Sequence, residues 1–317
     1  MTYFIVLLLL FALELFYFKI ADRYNIIDKP NHRSSHTRIT LRGGGIIFPI
    51  ALLIAFFLGY VSAVVTGAVV LVAVVSFIDD VYPLSTLPRF LSHCIACGLL
   101  VFELQLFSEP LWLLPILFVL LIGWINAFNF MDGINGITVL YALVSILTFA
   151  YLYQGDEQFS VLVLLGLACI VFGFFNVRKR AVTFAGDVGS ISMAVFLAYF
   201  MVQLIFEKGQ IGYLLFFSVY GIDAIVTILY RIKNKENILQ AHRSHLYQYL
   251  ANELGWSHVT VSVLYALFQF VINVVVLALI AAEQLSVFVF LVIGMALTGV
   301  YLGIRIKVLQ RIKPNYA

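Results

Sequence analysis

Asp79 and Asp80 stand side by side in "FIDDVYPLSTLPRF", directly after an apolar run. Adjacent carboxylates repel each other, and burial at a membrane boundary adds to the cost unless a cation compensates. A divalent ion or a basic partner such as Arg89 would compensate; a solvated helix end would also hold both acids. In "NAFNFMDGINGI", residues 126–137, Asn126, Asn129 and Asp132 recur at i, i+3 and i+6. That spacing puts them on one helix face, and Gly133 and Gly136 let backbone or ligand approach closely. A helix C-cap with polar trim also suits Asn and Gly, but leaves the alignment of three polar groups unexplained. In "NVRKRAVTFAGDVGSISM", Asp187 opens an apolar run among glycines. Free N–H groups at a helix start accept phosphate, and an Asp there can hold Mg²⁺ against it. Ordinary capping by Asp187 or Ser190 is the competing reading.

Two further groups share this character. "QAHRSHLYQ" holds His242, Arg243 and His245, residue types that bind a diphosphate or carry protons, or that face water on an amphipathic helix. Asp223 lies within the apolar run 211–230, where an acid is a functional candidate by default. The first basic loop carries Arg33, His36, Arg38 and Arg42 ahead of three glycines, suited to an anionic substrate or to lipid head groups. Together these acids, amides, histidines and arginines make the inventory for Mg²⁺-assisted phosphoryl transfer, in which charge is neutralised and oxygens are held in line.

The elements that must position them are membrane helices. The 317 residues are 63% hydrophobic and 11% charged, with mean hydropathy +1.05. Soluble domains carry about 25% charged residues. The apolar runs do not alternate as barrel strands do, and a helical span takes about 20 residues. The chain therefore reads as an all-α integral membrane protein with about 10–11 transmembrane helices, one polytopic domain over 1–317. Its apolar runs fall at 2–18, 45–60, 62–78, 92–107, 111–127, 137–153, 159–175, 190–206, 211–230, 259–281 and 285–303. Of 19 Lys and Arg residues, only Lys208 falls outside the long basic connections and the tail. The positive-inside rule makes those connections cytoplasmic, near 19–43, 79–91, 176–189 and 231–258, with the polar turn 128–136 on the same side. The N-terminus is then outside and the C-terminus inside. The first run lacks a basic n-region and a small-residue cleavage site, and so reads as a span. Cys94, Cys97 and Cys169 read as packing residues, not a metal site or a disulfide framework.

In this order, and over nearly the whole chain, these motifs resemble those of the polyprenyl-phosphate N-acetylhexosamine-1-phosphate transferases (glycosyltransferase family 4). The resemblance rests on "FIDDVYPLSTLPR", "NAFNFMDGINGI", Asn176 with "FAGDVGS", Asp223 and "AHRSHLYQ". It implies transfer of a sugar 1-phosphate from a UDP-N-acetylamino sugar to undecaprenyl phosphate, releasing UMP, at the cytoplasmic face of a bacterial inner membrane. It implies Mg²⁺, with Mn²⁺ as a substitute, held by Asp187. Asp79 and Asp80 would bind Mg²⁺ or activate the lipid phosphate. Asp132 with Asn126, Asn129 and Asn176 would serve the nucleotide–diphosphate site, and Phe184 would stack on uracil. His242, Arg243 and His245 would meet the diphosphate and sugar, with Arg89 and Asp223 beside them. A homodimer is plausible within the family. "HRSHLYQ" replaces the His-His-His run of the peptidoglycan translocase, which points to the O-antigen-initiating branch and to UDP-GlcNAc, UDP-FucNAc or UDP-QuiNAc. Asn135 stands where "DGIDG" has Asp.

An ion-coupled transporter is the rival reading. It predicts polar groups near mid-bilayer and paired broken helices from an internal repeat; the sequence has its polar groups at one face and no repeat. An Asp-rich prenyltransferase would need a second acidic motif, and a scaffold gives no reason to keep acids at the membrane edge.

Overall fold

The computed structural model describes residues 1–30, 35, 38–237 and 242–312; Arg33 and His36 lie outside them. Each of the eleven apolar runs becomes a helix. They are α1 (Thr2–Arg23), α2 (Ile47–Phe57), α3 (Ala63–Val81), α4 (Thr86–Glu103), α5 (Leu113–Phe130), α6 (Ile137–Leu152), α7 (Phe159–Asn176), α8 (Gly186–Lys208), α9 (Ser218–Lys233), α11 (His258–Ala281) and α12 (Val287–Ile312), with a short α10 (Leu246–Gln248) between the last three. Among the described residues, nine helical segments are long and apolar enough to cross a membrane.

The other two apolar helices, α2 and α6, have 11 and 16 residues. At 1.5 Å per residue they rise only about 16 and 24 Å, short of a hydrocarbon core of about 30 Å. Both begin beside a glycine with positive φ. Gly43 (+79°) precedes the 3₁₀ turn Gly44–Ile46 that leads into α2, and Gly136 (+90°) precedes α6. Arg42 and Asn135, the residues directly before these glycines, border a polar cavity.

α8 is the centre of the bundle, buried from Val188 to Leu204 and packed by α2, α3, α5 and α6. Its first turn is approached by backbone. A Cβ on Gly189 would strike the Cα of Gly45, and the Gly44 and Gly45 amides donate to the carbonyls of Phe184 and Ala185 at 2.9 and 3.0 Å. The glycine run 43–45 is thus a close-packing seam. A two-stranded antiparallel ribbon, β1 (Ile27–Asp28) and β2 (Thr40–Leu41), continues it, and the Phe184 amide donates to the Leu41 carbonyl at 2.8 Å. Cys94, Cys97 and Cys169 are free thiols.

Mid-bundle polarity has a local cause. The span before α9 opens as a 3₁₀ segment, Ile211–Phe217, and the junction leaves backbone groups without helical partners. Gln269 supplies them: its Oε1 accepts from Val219 N (3.0 Å) and Tyr141 Oη (2.6 Å), and its Nε2 donates to Leu215 O (2.9 Å) and Asn273 Oδ1 (2.6 Å). Gln269→Leu leaves these groups buried and unpaired, so we expect it to destabilise the fold by about 2 kcal/mol, read as a lower unfolding midpoint in detergent.

Candidate active site

The helix ends that carry the basic loops meet at one end of the bundle and enclose a cavity of about 380 Å³. Its wall includes Arg42, Asn129, Asp132, Phe184, Asp187 and His242, with Asn135, Gln248 and His258 completing one side.

Asp187 sits in the first turn of α8 with its side chain 20% exposed. Asn129, in the last turn of α5, hydrogen-bonds to its carboxylate and accepts from Ser190 Oγ at 2.6 Å. Asn129 therefore positions Asp187 from a neighbouring helix. Arg42 reaches the same carboxylate at 3.8 Å. The loop reading had left Arg42 between substrate and lipid; its guanidinium instead faces acids at the cavity. Nothing in its local sequence carries that information, because the partners lie on α3 and α8.

Asp80 is different. Its side chain is fully buried, and its oxygens accept from the amides of Asp187 (3.0 Å) and Val188 (3.1 Å) and from Arg42 Nε at 2.8 Å. It caps α8, taking the helix-start N–H groups that the sequence offered to phosphate. Asp79 accepts from Leu84 N at 2.6 Å and pairs with Arg89 at 3.1 Å, so the basic partner expected for the Asp pair is found. Among the described residues, neither acid nor Arg89 lines the cavity. Asp80, expected at the reacting phosphate, thus holds Arg42 and the start of α8, with three of about four acceptor positions engaged.

The shared helix face of Asn126, Asn129 and Asp132 is also corrected, since α5 ends at Phe130. Asn126 turns back to donate to Ile122 O at 2.8 Å and does not line the cavity. Asp132 reaches it from the following loop. Gly133 there has no room for a Cβ because the Tyr247 ring lies against it, and Tyr247 Oη donates to Phe130 O at 2.9 Å. Asn176 borders the cavity, but its amide braces two loops, accepting from Gly136 N (2.7 Å) and donating to Thr183 O (2.8 Å). Asn135 donates from its side chain to Arg178 O at 2.9 Å, which a carboxylate in its place could not do.

Burial raises the Asp132 carboxyl to about 6, opposed by the Thr138 hydroxyl donating to it at 2.5 Å. An ionised Asp132 is an acceptor only, suited to hydroxyl or N–H donors of a ligand. We expect donor affinity to fall as pH drops through about 6. Thr138→Val removes a donor that favours the ionised form, so the midpoint moves upward; donor KM against pH for both proteins checks this.

His242 lines the cavity, while His245 and Asp223 stand behind it. Burial and the nearby His245 and Arg231 hold the His242 imidazole down at about 4, so it is neutral at physiological pH. His245 is buried, its ring 4.9 Å from that of His242, with Nδ1 3.2 Å from Asp223 Oδ1. Asp223 is fully buried and also accepts from Tyr265, Tyr301, Thr227 and the Leu246 amide. Asp223, expected beside the substrate, holds His245 and is not among the residues of the cavity wall. Arg243 lies in the same loop, away from the wall. The sequence reading missed Gln248 and His258, which the fold brings to the wall from α10 and the start of α11.

Among the described residues no cluster of three or more His, Cys, Asp or Glu forms a metal cage. Mg²⁺ seldom asks for one: it keeps waters and takes one or two carboxylates plus substrate phosphate oxygens. A partly exposed, oriented Asp187 on a cavity wall fits that demand.

The structure thus defines a polytopic helical membrane protein with an acid- and histidine-walled cavity at one end of its bundle. Residues 62–205 match the model of glycosyl transferase family 4. The chain is similar to a probable undecaprenyl-phosphate N-acetylglucosaminyl 1-phosphate transferase of Bacillus subtilis, 26% identical over 87% of this chain and 83% of that protein. It is also similar to phospho-N-acetylmuramoyl-pentapeptide-transferases: 28% identical to that of Lactococcus lactis subsp. cremoris over 50% of each chain, and 35% identical to that of Streptococcus uberis over 35% of each. The likeness to glycosyl transferase family 4 thus covers the central segment of the chain, from the start of α3 into α8, and the relatives include transferases of both kinds.

Proposed function

We propose that the chain transfers an N-acetylamino-sugar 1-phosphate from a UDP-sugar to undecaprenyl phosphate, releasing UMP, as a first membrane step in cell-surface polysaccharide synthesis. One observation carries this reading. One cavity joins an oriented, accessible carboxylate (Asp187), a guanidinium (Arg42), an aromatic face (Phe184) and a neutral imidazole (His242). The likeness to the Bacillus subtilis protein over 87% of this chain supports the reaction class.

Each residue has a task in this scheme. Phe184 offers its ring to uracil. Arg42 takes up diphosphate charge, and His242 offers a hydrogen bond to the diphosphate or sugar. Asp187 would hold Mg²⁺, or Mn²⁺ in its place, which when bound neutralises diphosphate oxygens. An oxygen of the lipid phosphate attacks the β-phosphorus. The bond from that phosphorus to the bridging oxygen breaks, and UMP departs with the oxygen. The attacking oxygen is already anionic, so the step needs no protein base. The acceptor's phosphate lies at the interface while its tail stays in lipid, which fits a cavity at a bundle end. The basic loops around it support a site on the cytoplasmic side, by the positive-inside rule.

The transporter reading draws no support from the mid-bundle polar groups, because Gln269 and Asn273 are spent on the helix junction. A panel of UDP-GlcNAc, UDP-FucNAc and UDP-QuiNAc, assayed for UMP release with undecaprenyl phosphate and Mg²⁺, tests the proposal. Release with one donor, abolished by EDTA, supports it and identifies the sugar. No release from any donor, with protein shown to be folded, overturns it.

A further inference from the structure

α12 is an unusual helix to carry a buried charge. Of its 26 residues only Arg305 and Val308 are buried; Phe290, Ile293, Leu297, Tyr301 and Ile312 pack partly against the core, and most of the others are exposed. A guanidinium inside a membrane helix is costly, and Arg305 has no carboxylate within ion-pair distance among the described residues. It is held by neutral groups: Nη1 donates to Thr227 Oγ1 (3.0 Å) and Tyr301 Oη (2.9 Å), and the cation lies over Tyr230 and Tyr249 at 5.2 and 5.5 Å. Its remaining reach is to the candidate site, where Nη2 donates to the carbonyl of Ser244 at 2.9 Å.

Ser244 is one of the two residues between His242 and His245, directly before His245. Its Oγ lies 2.8 Å from His242 Nδ1, so the residue that Arg305 grips also sets the ring that lines the cavity. On the other flank His245 is fixed by Asp223, which Tyr301 also meets at 2.9 Å. Tyr301 thus links both anchors, one turn from Arg305 on the same helix. Held this way, the loop cannot slide along the cavity without breaking contacts to α9, α11 and α12 together. A leucine at 305 would pack at lower cost and would leave the Ser244 carbonyl unheld.

We propose that Arg305, with Tyr301, is a positioning residue of the site: from the lipid-facing terminal helix it fixes the Ser244 carbonyl, and with it the placement of His242 against the donor. This rests on the donor-binding role given to the cavity above. The test uses the full chain in lipid nanodiscs. Arg305→Met raises KM for the UDP-sugar at least 10-fold, with KM for undecaprenyl phosphate changed less than 2-fold. Arg305→Lys, which keeps one donor within reach of the carbonyl, recovers most of that loss, and the outward-facing control Met295→Leu behaves as wild type. A purely structural Arg305 would instead lower the rate in proportion to folded protein and leave both KM values unchanged, which would overturn the proposal.

A readout without turnover separates this from the function itself. The chain has six histidines, so ¹⁵N-histidine spectra, assigned by single His→Gln replacements, are tractable. Arg305→Met shifts the His242 and His245 signals and leaves His93 in place. Unmoved His242 and His245 signals contradict the proposal even if no sugar donor is ever found; shifted signals with no turnover from wild type contradict only the transferase.

Discussion

Asp187→Asn lowers transfer by on the order of 10³-fold, the scale of losing a group that stabilises transition-state charge, with no loss of folded protein. The substitution keeps size and leaves an acceptor oxygen for Asn129. Arg42 retains Asp80 at 2.8 Å, so the surrounding packing survives. What disappears is the one carboxylate of the α3–α8 cluster that is both accessible and oriented toward the cavity. Initial rates of UMP release, measured across a Mg²⁺ titration, check this. Near-wild-type rates at saturating Mg²⁺ would show that the cation is held elsewhere.

Asp80→Ala is expected to act on the fold first. It removes the partner of Arg42 and the acceptor for two amides at the start of α8. Removing one member of a buried ion pair costs about 3–5 kcal/mol. Its signature is a lower unfolding midpoint and poor recovery from the membrane, with activity falling in step. Asp80→Asn retains an acceptor for α8 and should lie between wild type and Asp80→Ala in both readouts. An Asp80→Asn protein as stable as wild type yet without turnover would restore Asp80 as a catalytic group.

These two carboxylates show how far the sequence could be read. Placing eleven helices and gathering the acids at one bundle end needed only hydropathy and the positions of Lys and Arg. The partner of Asp79 was also legible, because Arg89 lies ten residues on. Which acid faces the cavity was not: Asp79, Asp80 and Asp187 look alike as residues, and only the approach of α3 to α8 decides that Asp80 turns into backbone amides. The spacing of Asn126, Asn129 and Asp132 misled because an ideal helix was extended past Phe130, where the chain turns. Asp223 was rightly singled out as an acid in an apolar run, but its task depends on Tyr265 and Tyr301 of later helices. Gln248 closes the "AHRSHLYQ" stretch but was passed over beside its histidines, and His258 stands apart from every motif.

The most direct test follows the β-phosphorus. With UDP-GlcNAc, or whichever donor the panel selects, labelled with ³²P at the β position, purified protein and undecaprenyl phosphate should pass the label into the lipid fraction, with unlabelled UMP released in equal amount. Label retained in UDP while the sugar moves to lipid would mean attack at the sugar's anomeric carbon, and would contradict phosphoryl transfer at this site.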